Sequence, residues 1–144
     1  MKALIYDLVM LVTTNRVSLG IPDSVRMDRL MEDRDCISIA MRGMPKVLKE
    51  YINGSKQLTA TFDVLAETLE GASDAKNLGA VEWLLSIGAM FEGMKRFSLS
   101  DNRTVLRASQ TTMPTIVGRN DAGRVSYVMT VSIDYEEHSN GTTD

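Results

Sequence analysis

From Arg124 to Glu136 apolar and polar residues alternate almost without a break. Val125, Tyr127, Met129, Val131, Ile133 and Tyr135 point one way, and Ser126, Thr130, Ser132 and Asp134 the other, with Val128 the single apolar intrusion. Period-two alternation rich in Val, Ile, Thr and Tyr predicts a half-buried antiparallel strand. Thr111 to Val117 predicts its partner, and Gly118 to Gly123 the return between them. Asn, Asp and Gly in that return tolerate positive φ angles. Pro114 fits a strand start or an edge, because it has no N–H to give to a ladder.

The same pattern recurs earlier. Leu58, Ala60, Phe62, Val64 and Ala66 alternate with Gln57, Thr59, Thr61, Asp63 and Glu67. Val47 to Ile52 precedes that strand, and Asn53-Gly54 between the two predicts a two-residue type I′ hairpin. Asp35 to Arg42 predicts a short strand with small or apolar residues on both faces, hence an inner one. Val105 to Ser109 predicts a further strand or the lead-in to the last hairpin.

Two stretches carry helical spacing instead. Ala3 to Thr14 places Leu4, Ile5, Leu8, Leu11 and Val12 on one side, with Asn15 and Gly20 as stop signals. Ser73-Asp74 opens a second helix that ends at Gly93. Leu78, Val81, Leu84, Leu85, Gly88 and Phe91 form its core stripe. Trp83, Ile87, Met90 and Met94 form a second stripe beside it, leaving a narrow polar arc around Glu82 and Ser86. A helix this apolar is buried on more than one side, by its own chain or by a neighbouring subunit.

Ile21 to Arg34 and Lys95 to Arg103 read as polar connections, and 138–144 as a polar tail. No internal repeat is visible. The order predicts one α+β domain over 1–137, with a largely antiparallel sheet of about five strands and two main helices packed on one face.

Composition narrows the chemistry. The chain has 144 residues, 44% hydrophobic and 24% charged, with a net charge of -3, which disfavours binding through nucleic-acid phosphates. One cysteine, Cys36, allows no internal disulfide and suits a reducing compartment. No segment approaches the ~20 apolar residues of a spanning helix, so no membrane partner is expected. The opening is not read as a signal peptide, since Asp7 interrupts its apolar run.

Catalysis finds little footing. His138, the single histidine, lies in the polar tail. Cys36 reads as a small buried hydrophobe. No metal or other cofactor is expected: Cys and His form no cluster, and Gly118 and Gly123 bracket a hairpin rather than a phosphate loop. Asp63 and Glu67 share one strand face, which keeps a small metal-dependent nuclease as a remote alternative. Arg42, Arg119 and Arg124 sit at strand ends, solvated or paired with acids of a neighbouring subunit. Ten methionines supply adaptable packing surface.

Several features in order carry a resemblance: Leu4-Ile5-Tyr6-Asp7-Leu8; the strand Asp35 to Met41 followed by Gly43; the hairpin at Asn53-Gly54; the single long helix Asp74 to Gly93; and Thr112 to Val117 with Gly123 to Tyr135. Across Leu4 to Glu136 the chain resembles the minor capsid and tail-terminator proteins of long-tailed bacteriophages. The resemblance implies a structural virion protein without enzymatic activity. It implies a homo-oligomeric ring, a hexamer in the family, on the head-proximal end of the tail tube. The ring would end tube growth, meet the head-to-tail connector, and let DNA through its lumen without specific binding. Trp83, Met90, Met94, Arg42, Arg119 and Arg124 are the expected interface residues. Another phage neck or head-completion protein is the alternative.

Overall fold

The computed structural model describes residues 4–21, 25–27, 36–69, 74–99, 102–119 and 124–138. In chain order the elements are α1 (Leu4–Thr14), α2 (Arg16–Leu19), β1 (Val25–Met27), β2 (Cys36–Met41), β3 (Lys46–Glu50), β4 (Lys56–Leu69), α3 (Asp74–Gly93), β5 (Phe97–Ser98), β6 (Arg103–Gln110), β7 (Thr115–Arg119) and β8 (Arg124–Glu137). The class is α+β. All strands join one sheet in the order β1-β2-β4-β8-β6-β5, with β3 added to β4 and β7 to β8. Every pairing is antiparallel except β1 with β2.

The two alternating segments become the spine. β4 and β8 pair without a slip from Lys56↔Glu137 to Leu69↔Arg124. Because side chains alternate across a strand, this register places Leu58, Ala60, Phe62, Val64 and Ala66 on one face with Met129, Val131, Ile133 and Tyr135. All nine are buried. Ile37 and Ile39 of β2 join the same face, opposite Ala66 and Val64, and β2 is an inner strand, as its two apolar faces require. α3 covers this face with Ala80, Leu84, Ile87 and Phe91, and α1 with Leu4, Leu8 and Val12. Phe91 meets Phe62 edge to face, centroids 5.4 Å apart. Gly88 lets α3 approach the sheet. A Cβ there would run into the Gln110 side chain and come within 3.2 Å of Met129 Sδ.

The sheet is wider than the five strands expected. β1 lies in the charged stretch read as a connection, and β5 in the polar link after α3. Each is too short for alternation to register; a neighbouring strand's backbone supplies the pairing. The Asn53-Gly54 turn also differs. Asn53 keeps a negative φ while Gly54 takes φ 91°. The Gly54 N–H donates to Tyr51 O at 3.0 Å, and the Tyr51 N–H to Ser55 O at 2.8 Å. That is a three-residue loop with glycine in the left-handed position, not a type I′ pair. Asn53 Oδ1 accepts the Ser55 N–H at 2.9 Å and fixes the bend. On α3, Leu85 is 37% exposed instead of core, and Ile87 is fully buried. Gly118 and Arg119, expected in the return, instead extend β7 and pair with Ser126 and Val125; Ser73 and the rest of that return, 120–123, lie outside the described residues, as does the side chain of Leu78.

A repeat does exist, in the pairing rather than the letters. Moving along the chain by 69 residues, from Met44 to Met113 or Phe62 to Val131, carries β2-β3-β4 onto β6-β7-β8. Met41↔Phe62 becomes Gln110↔Val131, and Lys46↔Thr59 becomes Thr115↔Val128. The register slip that skips Leu48 recurs at Val117. The Arg42 N–H to Thr61 O bond of 2.8 Å recurs as Thr111 N–H to Thr130 O at 2.9 Å. Leu58↔Tyr135 and Ala66↔Tyr127 exchange, and Phe62↔Val131 maps onto itself. A local twofold therefore passes through that pair, perpendicular to the sheet. Met44-Pro45 and Met113-Pro114 occupy the same place in both halves. There the chain leaves one strand and starts the next, as a residue without an N–H favours.

Candidate functional site

The duplicated pairing produces two arms at diagonal corners of the sheet. The first is β3 with its loop, paired to the start of β4. The second is β7, paired to the start of β8. All five residues of β3 are exposed. Met44 is 91% exposed and Ile52 fully so, with Val47, Leu48 and Tyr51 beside them. On the second arm Met113, Ile116 and Val117 are exposed. Of the large apolar side chains left in water among the described residues, all but Tyr6, Met10 and Leu85 lie on these arms. Scattered apolar exposure is ordinary; contiguous patches mark contact surfaces.

Under the first arm runs an apolar groove of about 400 Å³, lined by Leu4, Ile5, Met41, Met44 and Leu58, with Arg103, Tyr135 and Glu137 in its wall. Arg103 is buried. Its guanidinium stands 3.9 Å from Asp7 of α1 and 3.8 Å from Glu137. These acids offset the charge that burial would otherwise penalise. Burial raises the Tyr135 phenol above its usual pKa, partly opposed by the nearby Arg103 cation.

Apart from Leu65 opposite Val128, the described part of the opposite sheet face is largely polar, and its side chains bond to one another across strands. Thr130 donates to Asp63 at 2.9 Å, Ser126 to Glu67 at 2.8 Å, and Arg107 to Asp134 at 2.7 Å. Thr61 and Ser132 hydroxyls lie 3.0 Å apart. Asp63 and Glu67, the acids of the nuclease alternative, thus face hydroxyls and Arg42. Among the described residues no three His, Cys, Asp or Glu converge as a metal site.

The expected interface residues are dispersed. Trp83, Met90 and Met94 are half-buried against the chain's own core. Arg42 is exposed and pairs with Asp63 of its own chain at 3.3 Å. Arg119 ends β7 opposite Val125, and Arg124 begins β8 opposite Leu69, which brings both to the second arm; their side chains lie outside the described residues. Cys36 is buried and forms no disulfide. His138 Nε2 lies 3.0 Å from the Thr104 hydroxyl, and the His138 backbone N–H donates to Asn102 O at 2.9 Å. The arm residues Met44, Leu48, Ile52, Ile116 and Val117 were not singled out from sequence. The signal was present as apolar residues following each Met-Pro pair, but a strand's apolar residues are read as core by default.

Among the described residues no helix is long and apolar enough to cross a membrane. No protein-family model matches the chain, and no characterised protein matches it significantly.

Proposed function

We propose that this chain is a structural, ring-forming virion protein that caps the head-proximal end of a phage tail tube and joins it to the head connector. The observation that carries the reading is the pair of apolar arms at opposite corners of one sheet. A subunit with two separate sticky ends is suited to head-to-tail contacts, which close into a ring when the rotation between neighbours closes. The resemblance in element order, spacing and size adds the phage tail context. The net charge of -3 fits a lumen through which DNA moves without being held.

The test is growth of tail tubes in vitro. Added protein should stop elongation and leave tubes of limited length with a ring at one end. Tubes that lengthen unchanged, with no protein bound at either end, contradict the reading. Capping of heads rather than tubes would favour the alternative role in head completion.

A further inference from the structure

The internal repeat gives the groove beside Met44 a counterpart. Met41 of its lining corresponds to Gln110, 69 residues on. At Gln110 the chain seats its own α3. Gly88 lies against the Gln110 side chain, and Glu92 Oε1 accepts the Gln110 N–H at 3.0 Å. At Met41, α1 adds only Leu4 and Ile5 to the wall, and about 400 Å³ stays open. The repeat therefore carries this recess once, at the first arm. Met44 of its lining is 91% exposed. A concave apolar recess beside an exposed methionine suits an apolar occupant.

Charge narrows the occupant. Directly opposed residues of neighbouring strands point to the same sheet face. Lys46 opposite Thr59 and Lys49 opposite Gln57 therefore lie on the polar face, away from the groove. Glu50 and Lys56 oppose each other on the groove's side and form their own ion pair at 3.8 Å. Beside the groove that leaves two acids, Asp7 and Glu137, around one base, Arg103. The Glu137 side chain is 45% exposed. An occupant with apolar residues and a base, but no acid, complements this wall. Of the two exposed arms, the first frames the groove, with Val47 opposite Leu58 of the lining. The second fits the description. Thr111 to Arg119 contains no acid, exposes Met113, Ile116 and Val117, and ends in Arg119.

Resting on the ring-forming reading above, we infer that the second arm of one copy inserts Ile116 and Val117 into the groove of the next copy, with Arg119 toward Glu137. Arm and groove are unlike patches, one of each per copy, so the joint is heterologous. A row of such joints closes into a ring when the rotation between neighbours closes.

The test is complementation between two exposed substitutions in the full chain, read by sedimentation. Met44→Glu places a charge in the groove, and Ile116→Glu places one on the arm. Each alone should weaken self-assembly at least tenfold. The two are then mixed one to one at about a hundredfold the concentration at which the unaltered chain assembles, which offsets the lost avidity of a closed ring. The mixture should form a heterodimer and stop there, because the Met44→Glu copy keeps a sound arm and the Ile116→Glu copy a sound groove. Each variant alone should stay monomeric at that same concentration. A mixture that stays monomeric, or a single variant that assembles like the unaltered chain, overturns the joint and leaves the ring reading intact. An unaltered chain that stops at a dimer, or never assembles alone or on tubes, overturns both.

Discussion

The two halves of the molecule share a strand frame and differ in what surrounds it. In the first half a short helix, α1, lies over the sheet and leaves the groove beside Met44; in the second, the longer α3 fills the corresponding space, with Gly88 against Gln110 and Met129. β1 flanks the first half in parallel, and β5 flanks the second antiparallel. The first arm carries Lys46, Lys49 and Glu50, and the second ends in Arg119. Core pairing is thus duplicated while the edges diverge. A repeat whose edges differ offers two unlike contact surfaces, as a head-to-tail joint needs.

The sharpest way to break the comparison is through the helices. Phe91→Ala should cost about 3–5 kcal/mol in denaturant unfolding, since it empties the contact with Phe62. Exposed Leu85→Ala on the same helix should change stability by under about 0.5 kcal/mol. An equal cost at both sites would mean that α3 does not sit on the sheet as described.

Next in size is the close approach at Gly88. Gly88→Val should destabilise by about 1–3 kcal/mol through overpacking against Gln110 and Met129. Gly79→Ala has open space and should stabilise the helix by up to about 1 kcal/mol. Thermal melts of the two variants should therefore shift in opposite directions.

These contrasts also show what was legible. The alternation of Val125 to Tyr135 and Leu58 to Ala66 gave both central strands and their buried faces, because period two reports directly on a half-covered sheet. The repeat escaped because the halves keep pairing and face while exchanging residues: Phe62 answers to Val131, and Leu58 to Tyr127. Periodicity could not rank α3's two stripes, since Leu85 and Ile87 are equally apolar and only the sheet's position separates them. Arg42 found Asp63 across a strand pairing that no local pattern encodes.

The smallest effect concerns Tyr135. Its folded pKa is raised from 10.0, chiefly by burial. The stability this contributes is fully present below the unfolded pKa and is lost as pH rises through the folded one. Unfolding free energy should fall as pH climbs above about 10, and Tyr135→Phe should flatten that decline. An unchanged alkaline slope in the variant would place its origin elsewhere.

The central claim is that this chain exists to join copies of itself on a tube end. Sedimentation of the purified protein over a range of concentrations, alone and with tail tubes, addresses it most directly. The account predicts one closed oligomer, free or tube-bound. A monomer at every concentration, with none carried down by tubes, would contradict it.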